Sequence, residues 1–350
     1  MSTESYPLGK FDEESLENYV FPHLGKKCAL EYGPRFGSDF NAIELPEKMV
    51  LAISTDPLAV SPELGWERSG KLALQVISTD VAVSGIPPSY LVANWNLPPE
   101  TSNQTFERIW LGFTEEAKRN DISIIGGHTG RYSDSSFPVV GAATALGIGR
   151  RDQLLSGGLA SGDWIFVLNR LGLEAAAIFS FYYPDKLSRL VSREILFEVK
   201  QEFDDITPTG DLSFLASLPG VKALHDIAEG GLMGGLRELL SGKDRGARIE
   251  KSKISAKQNV ARICRELNLN PLKITSIGSG IGVVSPESDE EFLAEAHAEG
   301  LPVEMIGKVK GEKGITLETE KGEKTLTGPI HDGFWDRLSE FGRDRGNSGT

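Results

Sequence analysis

Three aspartates in the first half of the chain occupy positions that suit a metal–phosphate site. Asp39 lies in G-S-D-F-N-A, Asp56 in S-T-D-P and Asp80 in S-T-D-V-A. Hard divalent cations prefer carboxylate oxygens, and Mg²⁺ commonly takes a few carboxylates while it bridges phosphates. A single aspartate after a strand is equally well explained as a turn former or a helix cap. Asp80 differs, because it interrupts an apolar helical pattern, and a buried carboxylate needs a partner such as a metal ion.

A glycine-rich segment, I-I-G-G-H-T-G-R-Y, follows a β-branched run at residues 124–132. The pattern predicts a strand at 122–125 that breaks into a turn at Gly126–Gly130, where glycine lets the backbone approach a ligand closely. His128 could donate to a phosphate, ligate a metal ion, or stand exposed on a tight turn. The segment alone leaves these alternatives open.

The second half contains H-D-I-A-E-G-G-L-M-G-G-L at residues 225–236. His225, Asp226 and Glu229 are residue types that suit proton transfer, and the N–H groups of a glycine turn at a helix start suit an anion. The alternative is an ordinary helix start, with Asp226 as the cap and Glu229 three residues later as in a capping box. That alternative explains the two acids but neither His225 nor the four glycines.

The elements that must position these residues form two α+β halves. The spacing of apolar residues predicts helices at 11–24, 69–85 and 103–120, the first with Leu16, Tyr19, Val20 and Phe21 on one face. It predicts strands at 48–56, ending in Asp56, at 90–97 and at 137–149. The pattern starts afresh after Arg150, so the halves meet near residues 150–160. A length of 350 residues fits two domains better than one core. Strands and helices alternate without a regular βαβ rhythm, and no Walker-type or G-x-G-x-x-G motif is present.

Composition narrows the class of partner. A net charge of −13 argues against nucleic acid, which calls for clustered Lys and Arg, but not against nucleotides held by backbone N–H groups and a metal ion. No apolar run reaches the length of a membrane helix, so we expect no membrane partner. The two cysteines, Cys28 and Cys264, show no CxxC spacing, which favours a reducing compartment and a cytoplasmic location.

Taken in order, the motifs resemble those of the AIR synthase (PurM-like) superfamily, and most closely those of archaeal HypE-like, AIR synthase-related proteins. G-P-R-F-G-S-D-F-N-A-I is similar to the family's G-P-x-x-G-x-D-A-A-V-I, and I-S-T-D to its T-T-D or K-T-D. I-I-G-G-H-T is similar to V-x-G-G-[DEH]-T, and H-D-I-A-E-G-G-L to H-D-x-T-E-G-G-L. The sequences S-I-G-S-G and M-I-G-K-V also fall where the family has related segments.

The resemblance implies a two-domain α/β (α+β) fold of the PurM/HypE-like type. Residues 1–155 would form an N-terminal sheet domain that binds ATP and Mg²⁺ and joins two subunits into a homodimer. Residues 156–335 would form a C-terminal α/β domain, and residues 336–350 a polar tail. The site residues that the resemblance implies are Asp39, Asp56 and Asp80 as metal ligands, Gly37, Gly126, Gly127, His128 and Thr129 around the nucleotide, and His225, Asp226 and Glu229 where phosphoryl chemistry occurs.

One departure from the family pattern bears on function. HypE proper ends in a motif whose last residue is a cysteine that accepts a carbamoyl group, whereas the last cysteine here is Cys264 and the sequence ends G-N-S-G-T. We therefore expect an ATP-dependent enzyme that carries out Mg-assisted phosphoryl transfer to, or activation of, a small-molecule substrate, rather than the HypE reaction. The alternatives are a non-catalytic HypE-like binding or assembly protein and a thiamine-monophosphate-kinase-like small-molecule kinase. A metal hydrolase using His128 is disfavoured, because no HxH or HExxH spacing is present.

Overall fold

Two β-sheets, one in each half of the chain, form the framework of the protein. The computed structural model describes residues 11–26, 30, 32–155, 157–328 and 330–343. The first sheet has the spatial order β1-β2-β5-β3-β4. Its strands are β1 (Asn41–Leu45), β2 (Met49–Ala59), β3 (Tyr90–Leu97), β4 (Ser123–Arg131) and β5 (Val139–Arg150). Neighbours are antiparallel except β3 and β4, which a helical crossover joins in parallel.

Two long helices, α2 (Trp66–Ala82) and α3 (Asn103–Arg119), pack on the first sheet and on each other. Their apolar residues, with Trp95 of β3 and Phe113 of α3 ring to ring at 5.3 Å, form one continuous core with that sheet. The predicted helix and strand periodicities are confirmed here. The short helix α1 (Glu13–Ser15) precedes the helical turns Leu16–Val20 and Phe21–His23, and short 3-10 turns occur at Pro46–Lys48, Arg151–Gln153 and Lys251–Lys253.

The second sheet has seven strands in the order β12-β11-β8-β10-β6-β9-β7. Its strands are β6 (Trp164–Leu168), β7 (Val221–Asp226), β8 (Gly246–Glu250), β9 (Gly280–Val284), β10 (Val303–Lys310), β11 (Gly314–Thr319) and β12 (Gly322–Leu326). The accompanying helices are α4 (Leu173–Tyr182), α5 (Pro184–Leu187), α6 (Arg193–Asp205), α7 (Pro208–Ser217), α8 (Gly231–Leu240), α9 (Gln258–Glu266), α10 (Asp289–Ala298) and α11 (Phe334–Arg343). The protein is thus a mixed α/β structure, as the sequence predicts.

Helix α2 of the first half packs against the second half. The hydroxyls of Ser78 in α2 and Thr209 in α7 are 2.6 Å apart, and the Gln75 amide donates to the carbonyl of Ile206 at 3.2 Å. Both polar side chains of α2 are buried, so these hydrogen bonds replace those lost with water. The contacts fix the last turn of α2, which carries Asp80, against the second half.

Four local predictions are wrong. Residues 126–130 are not a turn, because β4 continues through them to Arg131. Strand β2 does not end at Asp56 but runs to Ala59. The predicted apolar face of an N-terminal helix leaves Tyr19 74% exposed. Residues 336–343 of the predicted polar tail belong to α11, whose Phe341 is buried against Phe179; residues 344–350 lie outside the described part.

Within the described ranges, none of the helices is both long and apolar enough to cross a membrane.

Candidate active site

Four carboxylates from four different elements converge where the two halves meet. Asp39 precedes β1, Asp56 lies within β2, Asp80 lies in the last turn of α2, and Asp226 ends β7. Burial raises the pKa of Asp80 well above its ordinary value, and neighbouring negative charges raise it further. In decreasing order of effect these charges belong to Asp56, Asp226 and Asp39. A hydrogen bond of 2.7 Å from the Ser54 hydroxyl opposes the shift only in part.

His225 lies among these acids with its side chain almost fully buried. Its Nδ1 is 2.6 Å from the carbonyl oxygen of Asp226, so Nδ1 carries a proton and donates to that carbonyl. Its Nε2 is 3.2 Å from Asp39 Oδ1 and 3.4 Å from Glu238 Oε2. Neither approach has hydrogen-bond geometry, which leaves this buried nitrogen without a hydrogen-bond partner among the described residues. Burial lowers the pKa of His225, but the charges of Asp39, Glu238 and Asp226, together with the hydrogen bond to the Asp226 carbonyl, outweigh it and raise the pKa.

Glu238 is a member of the site that the sequence does not reveal. It sits on α8, two turns after the glycine pair, at a position typical of an amphipathic helix. It approaches the site because the loop that carries Asp39 lies directly on α8. A Cβ atom at Gly37, where φ is +70°, would be 2.6 Å from Glu238 Cα. Gly37 therefore allows this close packing, while its predicted contact with a nucleotide stays a prediction.

Gly126, Gly127, His128 and Thr129 all face solvent on the edge strand β4. His128 Nε2 is 2.6 Å from the hydroxyl of Tyr132. Strands β5 and β3 lie between β4 and β2, which carries Asp56. At ordinary strand spacing the distance between β4 and β2 is about 14 Å. The structure thus does not bring this group together with the carboxylates, and only an extended ligand could touch both within one chain.

Glu229 lies beside the C-terminal segment. Trp335 Nε1 donates to its carboxylate at 3.3 Å. Helix α8 begins at Gly231 with Gly230 as its cap, and it has no side-chain cap, so the capping-box alternative is wrong. The Gly230 N–H donates to Asp332 at 2.9 Å, so a carboxylate of this chain already occupies the position where the glycine turn was expected to hold a ligand anion.

Comparison with known proteins agrees with this architecture. The AIR synthase related protein N-terminal domain matches residues 37–148, and the AIR synthase related protein C-terminal domain matches residues 160–320. The chain belongs to the AIR synthase related family.

Within this family, the relatives that are similar to this chain include HypE-like proteins. Hydrogenase expression/formation protein MJ0676 of Methanocaldococcus jannaschii is 30% identical over 271 residues, which cover 75% of this chain and 77% of that protein. Carbamoyl dehydratase HypE of Escherichia coli K12 is 28% identical over 280 residues, which cover 78% of this chain and 80% of that protein. A crystal structure of E. coli HypE has a TM-score of 0.68 at 27% identity, and the match covers 81% of this chain and 86% of that chain. A structure of HypE in complex with ATP shares the fold, with a TM-score of 0.66 and coverage of 91% and 92% at 21% identity.

The residues of this AIR synthase related chain fit a divalent cation. Donor atoms of Asp39, His225 and Asp226 lie within 4.8 Å of one another. Burial is the main cause of the raised pKa of Asp80, and repulsion from the charges of Asp56, Asp226 and Asp39 adds to it; a cation would relieve that repulsion. Asp226 joins this group although the sequence suggested a role for it in proton transfer. The carboxylates were recognisable one by one, but their convergence depends on contacts between the halves.

Proposed function

We propose that this chain is an ATP-dependent enzyme in which Mg²⁺ assists phosphoryl transfer to, or activation of, a small-molecule substrate. The convergence of Asp39, Asp56, Asp80 and Asp226 carries the proposal. The relatives support it, because one is named a carbamoyl dehydratase and a HypE of the same fold was crystallised in complex with ATP. Mg²⁺ bound here would offset the charge of the phosphates.

The side chains of this site have separable tasks in the proposal. The four aspartates hold the metal ion, and the hydrogen bond from Ser54 orients Asp80 toward it. The Nδ1–H of His225 is engaged in a hydrogen bond to the Asp226 carbonyl, so Nε2 is the ring atom that can accept or release a proton. Gly126, Gly127, His128 and Thr129 on β4, together with Gly37, are proposed to contact the nucleotide, and Glu229 to line the cleft.

We also propose that the substrate is a separate small molecule rather than a cysteine of this chain. Cys264 is buried in α9, and burial raises the pKa of its thiol to about 12. A thiol in that state is neither a nucleophile nor an acceptor near neutral pH. Cys28 lies outside the described residues.

Addition of Mg·ATP is expected to stabilise the protein against thermal unfolding, by about 2.7 kcal/mol at a concentration one hundred times the dissociation constant. EDTA should abolish the effect, and so should Asp56→Asn, because both remove metal ligation. The exposed Asp185→Asn is the matched control and should behave like wild type. If Mg·ATP does not change the melting of wild type, the alternative of a non-catalytic binding or assembly protein is favoured. If ATP turnover occurs with thiamine monophosphate and with no other substrate tested, the protein is a small-molecule kinase.

The outer face of the first sheet supports the proposal of a homodimer. Helices α2 and α3 cover one face, and the other exposes apolar side chains, including Val92 of β3 and Ile125 of β4 at 60% exposure. An apolar sheet face of this kind is typical of an interface. Light scattering should give the mass of two chains for wild type and of one chain for Ile125→Asp. Leu190→Asp, an exposed apolar position in the second half, should leave the mass unchanged; a monomeric wild type would refute the proposal.

A further inference from the structure

Two cationic side chains lie next to the carboxylate cluster, and the chemistry proposed above does not use them. Arg35 is in the loop that leads to Asp39, and Lys243 follows the end of α8. Both are close enough to Asp39 for their charges to interact with it. They are also close enough to each other that the charge of Arg35 disfavours the charge of Lys243. The chain as a whole carries a net charge of −13, so a close cationic pair is a local exception.

The guanidinium of Arg35 stacks on an aromatic ring, but one of its N–H donors has no hydrogen-bond acceptor among the described residues. Its Cζ lies 3.9 Å from the centroid of the Tyr32 ring, which is a cation–π arrangement. Stacking uses the face of the guanidinium and leaves its in-plane N–H groups available. Its Nε is buried and has no hydrogen-bond partner in the described part of the chain. A buried donor without a hydrogen-bond partner destabilises the protein, so an acceptor that reaches it is bound favourably.

Lys243 reaches the same region from the segment that follows α8. Its Nζ donates to the carbonyl of Leu239 at 2.8 Å, which leaves further N–H donors on the ammonium group. Burial, and after it the charge of Arg35, lowers the pKa of Lys243 to about 8, while Asp39 opposes the change. The lysine is therefore still mainly charged at neutral pH. Two partly buried cations thus share one nearby carboxylate, Asp39, which also faces His225.

We propose that Arg35 and Lys243 together bind an oxyanion of the phosphate type beside the metal site. A phosphate oxygen would give Arg35 Nε its missing acceptor, and its charge would relieve the repulsion between the two cations. The inference builds on the proposed function through Asp39 alone. A metal ion on Asp39 would draw that carboxylate's charge away from the cations, so the metal ion and the oxyanion should favour each other's binding.

A purely structural role for the two cations makes a different prediction. If Arg35 and Lys243 only balance the charges of Asp39 and Glu238, their replacement would lower stability but would not change the response to phosphate. If they form an oxyanion subsite, replacement removes a ligand-dependent gain in stability. The difference between the two roles is therefore measured as a change in the phosphate response of each folded variant.

The experiment follows thermal unfolding of the full chain with inorganic phosphate, with and without Mg²⁺. Phosphate should stabilise wild type, and Mg²⁺ should increase its apparent affinity. Arg35→Met and Lys243→Met should each weaken phosphate binding at least tenfold. Arg189→Met, which removes an exposed arginine in the second half, should retain the wild-type response. Circular dichroism before each titration selects folded variants, and Arg35→Lys provides a second variant that keeps the charge but loses the fork of donors.

The source of the oxyanion follows from a parallel titration with Mg·ATP. Equal losses of phosphate and Mg·ATP affinity in Arg35→Met would assign the subsite to a nucleotide phosphate. Loss of phosphate affinity with unchanged Mg·ATP affinity would assign it to an anionic group of the second substrate. Equal phosphate responses in wild type and both methionine variants, or none in wild type, would overturn the inference. A wild type that binds phosphate but not Mg·ATP would refute the proposed function and leave the subsite intact.

Discussion

Asp80→Asn is expected to reduce metal-dependent ATP turnover by a factor of about 100 or more, while it makes the ligand-free protein more stable. Removing one carboxylate from a metal site that stabilises developing phosphate charge costs several kcal/mol in the transition state. Asparagine keeps the shape of aspartate and can still accept the 2.7 Å hydrogen bond from Ser54. The variant therefore separates the charge of Asp80 from its packing.

The gain in stability follows from the direction of the pKa shift. Because the folded state raises the pKa of Asp80 above its ordinary 3.8, the folded state favours the protonated carboxyl. Its contribution to stability is fully present below about pH 4 and is lost as the pH rises through the folded-state pKa. At pH 8, well above the ordinary pKa of an aspartate, keeping Asp80 in its buried and negatively charged surroundings destabilises the folded state, and the neutral asparagine removes that cost. The advantage of Asp80→Asn should disappear in acid.

Urea unfolding at pH 4 and pH 8, with and without Mg²⁺, measures both effects. Mg²⁺ should stabilise wild type strongly and Asp80→Asn weakly, so the order of stability reverses when the metal ion is added. Asp185→Asn, at an exposed position, should change neither stability nor turnover. Wild-type turnover by Asp80→Asn, or a ligand-free variant that is less stable than wild type at pH 8, would contradict the metal role of this carboxylate.

Sequence patterns predicted those parts of the site that depend on local chemistry. Asp80 could be recognised because a carboxylate in an apolar helix needs a partner. Glu238 could not, because a glutamate on an amphipathic helix is ordinary until the Asp39 loop is seen to lie on α8. Asp332 was missed for a related reason. It lies in a segment between the second sheet and α11, and its role is to accept a hydrogen bond from the N–H of Gly230, which is distant in sequence.

The fold was predictable to a similar extent. Periodicity gave α2, α3 and β3, since each buries one face against the same core. Residues 336–343 of α11 are predicted as part of a polar tail because their polar side chains outnumber the buried aromatic ring of Phe341. The two-domain family fold came from the order of motifs along the whole chain rather than from any single element, and the predicted boundary at residue 155 stays a prediction.

The glycine pair of β4 shows why composition alone was misleading. Gly126 and Gly127 were predicted to form a turn that cradles a nucleotide, but both lie in a strand parallel to β3. Gly127 has a φ of +148°, and a Cβ atom there would be 1.9 Å from the carbonyl oxygen of Ala93. At Gly126, apart from its own chain neighbours, no atom of the described residues lies within 4 Å of the corresponding position. The structure thus requires glycine at position 127 but leaves room for a side chain at position 126.

Gly127→Ala is therefore expected to destabilise the protein by about 3 kcal/mol or more, because the clash is with backbone and the backbone conformation disfavours L-residues. Gly126→Ala is the matched control, and it should change stability by less than about 1 kcal/mol. Urea unfolding of the two variants measures the difference directly. Gly126→Ala also tests the predicted nucleotide contact, since a weaker response of this folded variant to Mg·ATP would show that the ligand approaches the backbone of β4. Equal stability of the two variants would mean that β4 does not lie as close to β3 as the structure has it.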